Sequence, residues 1–156
     1  MKLLLLSDSH GTARMLARLQ AVLEAEKPDA ILFAGDGIHD MRRFEGKLPV
    51  YKVRGNCDIG ETGVDELVIP LAGQTIYLAH GHHHQVKRQL DMLASDARGH
   101  DAGIAVYGHT HKQALDMEAR VWCINPGSLK QGEYALLNLP PDGSMSPVFR
   151  RLSGLP

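Results

Sequence analysis

The sequence predicts an α/β (α+β) fold, an αββα four-layer sandwich in which two mixed β-sheets face each other between flanking helices. Three observations predict it. The first half alternates short apolar runs with helical stretches, which is the pattern of βαβ units and a parallel sheet. The second half consists mainly of strand-like runs and turns, the pattern of hairpins. Five of the apolar runs end in a glycine or small residue followed by a side chain able to bind metal, and α/β sheets place their sites at the carboxyl ends of strands.

Taken in order, Lys2 to Leu6 is a buried strand leading into Ser7-Asp8-Ser9-His10-Gly11. In an extended chain side chains two apart point the same way, so alternation is expected to bring Asp8 and His10 to one ion. Thr12 to Glu26 follows as an amphipathic helix with Met15, Leu16, Leu19, Val22 and Leu23 on one face, ended by Pro28. A second strand, Ala30 to Ala34, leads to Gly35-Asp36. A short helix around Met41 to Glu45 precedes a third strand, Val50 to Val53, which leads to Gly55-Asn56. Glu66 to Leu71 and Gln74 to Ala79 then form a hairpin about Ala72-Gly73, ending at His80-Gly81-His82. Val86, Leu90, Leu93, Ala94 and Ala97 mark a second helix closed by Gly99. Ile104 to Tyr107 leads to Gly108-His109-Thr110-His111. The remaining strands are Lys112 to Asp116, Ala119 to Ile124, Glu133 to Leu139 and Met145 to Leu152, the last two joined by Pro140-Pro141-Asp142-Gly143.

With 156 residues, 44% of them hydrophobic, the chain is expected to fold as a single domain, 1–156. Its 17 Lys+Arg against 18 Asp+Glu lack the basic excess on which duplex binding rests, so long nucleic acid is not an expected partner. Cys57 and Cys123 show no paired spacing, which points to a reducing compartment and a cytoplasmic protein. The apolar run Leu3 to Leu6 is shorter than the ~7 residues of a signal-peptide core. No run approaches the ~20 residues of a membrane span, so no membrane partner is expected.

Asp8, His10, Asp36, Asn56, His80, His109 and His111 form the candidate ligand set: two carboxylates, an amide oxygen and four imidazoles. That is too many for one tetrahedral ion with an open position, but it suits two divalent ions that share a carboxylate. Nitrogen and oxygen ligands without thiolate favour manganese, iron, zinc, nickel or cobalt over calcium or magnesium. Manganese is the first expectation, with magnesium last. Two dications against two carboxylates and a bridging hydroxide leave a positive site, suited to phosphate. Such a pair generates hydroxide at neutral pH for in-line attack, so phosphoester hydrolysis is the expected reaction.

Asp8-Ser9-His10, Gly35-Asp36, Gly55-Asn56-Cys57-Asp58, His80-Gly81-His82 and Gly108-His109-Thr110-His111, in this order, resemble the signature of the calcineurin-like metallophosphoesterases. The small size and Asn125-Pro126-Gly127-Ser128 resemble the compact bacterial and archaeal phosphodiesterase branch. The resemblance implies the αββα fold. It also implies Asp8, His10 and His111 on one metal, Asn56, His80 and His109 on the other, Asp36 bridging both, and His82 facing the phosphate. Asp36, Asn56, His82 and Cys57 are thereby the catalytic candidates. Many family members carry histidine directly after the asparagine, where it serves the leaving group; here that residue is Cys57. Because a thiol with a pKa near ~8.5 is a weak match for that role, activated diesters are expected to be cut better than alkyl esters.

Other positions carry two readings. His39 and Asp40 either support the site or cap the next helix, Asp58 either orients the Asn56 loop or closes a turn, and Arg54 either reaches phosphate or is solvated. His83 and His84 read as solvated loop residues. Trp122 and Cys123 read as core, and 125–128 by composition as a turn. With 3 Phe, 4 Tyr and 1 Trp there is no evident platform for stacking bases, and an open site for a small phosphodiester is expected. The alternative functions are a non-catalytic protein-interaction module like the small retromer subunit, or a nuclease on short oligonucleotides. An exposed strand edge in the second sheet offers a route to a homodimer.

Overall fold

Alternation within the first strand sets the layering. In the computed structural model, which describes residues 1–152, β1 (Lys2–Leu6) has both faces covered. Leu3 and Leu5 point into the space between two sheets, while Leu4 and Leu6 pack against a helix. β1 pairs in parallel with β2 (Ala30–Phe33), which pairs in parallel with β3 (Val50–Lys52).

The second sheet begins with the hairpin of β4 (Glu66–Leu71) and β5 (Gln74–Ala79), in register Leu71↔Gln74 about Ala72-Gly73. β6 (Ile104–Val106) lies parallel to β5 and to β8 (Val121–Pro126), and β7 (Gln113–Glu118) closes the edge antiparallel to β8. The chain then returns to the first sheet with β9 (Glu133–Asn138), antiparallel to β1, and β10 (Ser146–Arg151). The orders are β10-β9-β1-β2-β3 and β4-β5-β6-β8-β7. Leu3, Leu5, Leu32, Ile76, Leu78 and Val106 fill the space between the sheets. α1 (Ala13–Glu26) covers the outside of the first sheet through Leu16 and Leu19, and α2 (Asp91–Gly99) covers the second through Leu93, Ala94 and Ala97.

Several elements differ from expectation. The short helix is a 3₁₀ helix at Ile38–Arg43; Ile38, Met41 and Phe44 are buried at three-residue spacing, which matches its three residues per turn. The second helix starts at Asp91, because Gln85 is left-handed (φ 54°) and Val86 is drawn into the space beside Gly81, where it serves the loop. Ala119 lies in a turn: Ala119 and Arg120 both have positive φ (47° and 67°), the geometry of a two-residue hairpin turn without its usual asparagine-glycine pair. Trp122 is 37% exposed. It sits on the opposite face of β8 from buried Cys123 and lines an open groove with Leu115, Met145 and Pro147. Asn125 and Pro126 end β8, so only Gly127-Ser128 of the predicted turn lies beyond a strand. Among the described residues no helix is long and apolar enough to cross a membrane.

Leu5→Ala, at a fully buried position between the sheets, should lower unfolding free energy by about 2–5 kcal/mol in a denaturant titration. Leu115→Ala, at a position 40% exposed, should cost at most about 1 kcal/mol in the same assay.

Candidate metal centre

Every ligand candidate lies just past the carboxyl end of a parallel strand: Asp8 and His10 after β1, Asp36 after β2, Asn56 after β3, His80 after β5, and His109 and His111 after β6. Alternation is not what aligns Asp8 with His10. The strand ends at Leu6, and both residues are left-handed, with φ of 54° and 47°. Asp36 (63°), His109 (70°) and His111 (59°) share that conformation. Asp and His tolerate it better than most residues, yet it still carries backbone strain. Neighbouring loops hold it: the Asp8 N–H donates to Gly35 O (2.9 Å), the His10 N–H to Asp36 O (3.1 Å), and Ser128 Oγ to Asp8 O (3.0 Å).

The side chains converge. Asp8 Oδ1 is 3.1 Å from His111 Nε2, 3.6 Å from His10 Nε2 and 4.0 Å from His80 Nε2. Asp36 Oδ2 stands between the two halves, 3.8 Å from His10 Nε2 and 3.4 Å from His80 Nε2. Asn56 Oδ1 is 3.0 Å from His80 Nε2. His109 stands beside this group, its ring centroid 5.0 Å from that of His80. Asp8, Asp36 and His80 are almost wholly buried.

So much buried negative charge needs a cation. Asp8 Oδ1 and His10 Nε2 are buried without a hydrogen-bond partner, and both face the same point. His80 Nδ1 lies 2.6 Å from Ala34 O, which fixes a proton on Nδ1 and leaves Nε2 directed at the carboxylates, as a metal-binding histidine requires. Burial opposes a charge on His80, but Asp36 and Asp8 outweigh it and raise its pKa. Burial likewise works against Asp36, yet His80 and the Cys57 N–H (2.8 Å to Oδ1) hold its carboxyl far below the usual range. The donor set fits divalent metal: Asp8 with His10 and His111, and Asp8 with Asp36 and His80, each place ligand atoms within 4.8 Å of one another. His10, Asp36 and exposed Cys57 form a third such group.

This geometry coincides with a match of residues 1–139 to the calcineurin-like phosphoesterase superfamily domain. The chain belongs to that family. Probable metallophosphoesterase YsnB of Bacillus subtilis is 31% identical over 150 residues, spanning 92% of this chain and 88% of that protein. Phosphodiesterase YfcE of Escherichia coli is 26% identical over 156 residues, 83% and 79% of the two chains. Among solved structures, Vps29 of Entamoeba histolytica complexed with zinc shares the fold, with a TM-score of 0.74 at 22% identity over 98% of this chain and 100% of the other. The calcineurin-like phosphoesterases are metal-binding hydrolases, and the αββα architecture is theirs.

Around this family's metal centre the chain adds supports that its sequence showed only in part. Asp58 is the largest: its carboxylate accepts the N–H groups of Asp36 (2.9 Å), Gly37 (2.8 Å), Ile38 (3.2 Å) and Gly55 (2.8 Å), tying the Asp36 loop to the Asn56 loop. Asp40 accepts Ser9 Oγ (2.6 Å) and the Gly11 N–H (2.9 Å), while His39 is exposed beside Glu61. Ser7 Oγ donates to Asp8 Oδ2 (2.5 Å), as does the His109 N–H (3.1 Å). Asn125 Nδ2 donates to Gly108 O (3.1 Å) and Thr110 Oγ1 (2.9 Å), which explains why a motif that reads as a turn sits at the site. A side chain at Gly108 would overlap Ser7 Oγ and Asp8 Oδ2.

Two readings are corrected, those of Arg54 and His84. Arg54 is committed to Asp65 (2.8 Å) and does not reach toward phosphate. His84 is buried, with Nε2 3.0 Å from Asp96 Oδ2 of α2 and 3.2 Å from Tyr77 Oη; it anchors the loop that carries His80 and His82. Nothing in a run of three histidines distinguishes the buried one. His82 is half-buried, its ring 5.4 Å from that of His80, and burial together with the surrounding imidazoles pushes its pKa down to about 4, so it is neutral at pH 7.

Asp58→Asn, which replaces one of two accepting oxygens by a donor, should weaken metal binding by ~10–100-fold in a calorimetric titration. Because an ion must displace the proton that Asp36 and Asp8 hold on His80, metal affinity should fall as pH drops, with proton release on binding measurable from buffers of different ionisation enthalpy.

Proposed function

We propose that this chain is a metal-dependent phosphodiesterase acting on a small phosphodiester with two divalent ions, manganese first among them. The observation that carries the reading is the buried, unpartnered pair Asp8 Oδ1 and His10 Nε2 beside Asp36, a cradle that a hydrogen-bond network leaves open to a cation. Asp8, His10 and His111 would hold one ion, Asn56, His80 and His109 the other, with Asp36 shared. When bound, the two ions would supply Lewis acidity and a nucleophile at neutral pH. The relative named phosphodiesterase YfcE supports a diester over a monoester. The free cysteines Cys57 and Cys123 fit a reducing compartment such as the cytoplasm.

The chain's own residues have distinct tasks. Asp36 is held in its ionised form, because the His80 side chain and the Cys57 N–H stabilise its charge against the opposing effect of burial. His82, neutral at pH 7, offers a ring N–H to a phosphoryl oxygen without adding charge to the site. Cys57 is exposed beside His10 and Asp36, where the leaving group would depart. Slight burial and the carboxylates of Asp36, Asp58 and Asp8 push its thiol up, so it is a weak proton donor to an alkoxide. A competing reading, a protein-interaction module, draws on the exposed Leu115, Met117 and Trp122.

Chelator-treated protein given manganese, nickel, zinc or magnesium singly should hydrolyse bis(4-nitrophenyl) phosphate faster than 4-nitrophenyl phosphate, and Asp36→Ala should lower the rate by at least ~100-fold. No turnover with any metal, despite two ions bound per chain, would favour the interaction module. Cys57→His should raise the alkyl-to-aryl rate ratio by ~10-fold or more, within the range of general-acid catalysis; an unchanged ratio removes Cys57 from the leaving-group side.

A further inference from the structure

The charges around the metal centre are unevenly placed. In a chain with 17 Lys+Arg and 18 Asp+Glu, segments 110–113, 128–133 and 150–151 hold four cations (Lys112, Lys130, Arg150, Arg151) and one acid (Glu133). Segment 54–66 reverses this, with Asp58, Glu61, Asp65 and Glu66 against Arg54. Cys57, beside His10 and Asp36, belongs to the acidic stretch, and His111, beside Asp8 and His10, belongs to the basic one.

The basic side contains a groove of ≈ 560 Å³ that starts at His111 and runs over Thr110, Lys112, Gln131 and Arg151. His111, which lines the groove, has its Nε2 3.1 Å from Asp8 Oδ1, so the groove adjoins the metal centre at that residue. Its floor is already neutralised. Glu133, 4% exposed, gives Oε1 to Arg151 (2.5 Å) and Oε2 to the Ser128 N–H (3.1 Å). Lys112 is exposed and has no ion-pair partner among the described residues, and the Arg151 side chain, 69% exposed, keeps most of its N–H groups for another acceptor. Lys130, exposed and adjacent in sequence to Gln131 of the groove, donates its backbone N–H to Asp8 O (3.1 Å).

We propose that this groove is a subsite for a phosphomonoester group carried on the retained arm of the diester substrate. The inference rests on the phosphodiesterase reading. A phosphoryl group held between the two halves of the centre sends its leaving arm toward Cys57 and the acidic rim, and its other arm past His111. There Lys112 and the Arg151 guanidinium offer charge-assisted hydrogen bonds to phosphate oxygens, with Gln131 beside them. An anionic group on the leaving arm meets the opposite potential and is disfavoured. The natural substrate class is thus a phosphodiester with a second, terminal phosphate, in which the bond broken lies on the uncharged side. Water supplies the hydroxyl to phosphorus and the proton to the departing alcohol, and the terminal phosphate is untouched.

Two diesters with the same 4-nitrophenyl leaving group test this: one with a 2-phosphoethyl retained arm, one with a 2-hydroxyethyl arm. The metal-loaded protein should favour the phosphorylated arm by at least tenfold in kcat/KM, mostly through KM. Raising salt should shrink the ratio, and Lys112→Gln should bring it near one. Hydrolysis of both esters without preference, or a preference that survives Lys112→Gln and the Lys112→Gln/Lys130→Gln pair, overturns the subsite while leaving the phosphodiesterase reading intact. Hydrolysis of neither ester overturns that reading and this inference with it. A second readout needs no turnover. Inorganic phosphate titrated into chelator-treated protein should shift the backbone amide resonances of Lys112, Gln131 and Arg151 saturably, and loss of saturation in Lys112→Gln is expected. Shifts elsewhere alone, or none, count against the groove.

Discussion

Two carboxylates and an imidazole, those of Asp8, Asp36 and His80, are buried at one point between the ends of two sheets, and the rest of the structure answers to that arrangement. Like charges in a poorly solvated place repel and lose hydration. A proton on His80 relieves part of this, and Asp36 in turn is held ionised by His80. Asp8 Oδ1 and His10 Nε2 remain without hydrogen-bond partners, a deficit that a cation between them would complete. The need for a cation is thus built into the folding chemistry of this chain.

Holding such a constellation takes rigidity from outside it. Five ligand residues occupy left-handed backbone, which persists only where surrounding contacts over-determine it. Here the contacts come from side chains far along the chain: Asp58 gathers four backbone N–H groups, Asn125 fastens the loop that bears His109, and Ser128 locks the carbonyl of Asp8. The same density of contact leaves no space for a side chain at Gly55 or Gly108. Strand ends deliver the loops, and the buried polar clamps decide their conformation.

Charge then distinguishes the two sides of a centre that is otherwise nearly symmetric. The connection from β3 to β4 brings the acids of 54–66, and the loop between β6 and β7, the crossing from β8 to β9 and the end of β10 bring Lys112, Lys130 and Arg151. Under the proposed subsite, a substrate with two unlike arms would be oriented by this difference before any close contact forms. With Cys57 in the acidic stretch, the leaving group and the retained group of such a substrate would meet different surroundings.

The sequence by itself determined the layers and the ligand loops. Alternating faces in Leu3 to Leu6, the hairpin at Ala72-Gly73 and five strand-end motifs are local patterns, and local patterns fix which face is buried and where a turn falls. The candidate ligand set was legible for the same reason, since each member is announced by the strand before it. Only the tertiary structure decided the left-handed conformation of Asp8 and His10, the burial of His84, the exposure of Trp122, the pairing of Arg54 with Asp65, and the union of Asn125 with the Gly108 loop. Each of these depends on which group arrives from elsewhere in the chain to satisfy a hydrogen bond or cover a surface, and that distance in sequence leaves no mark in the residues on either side.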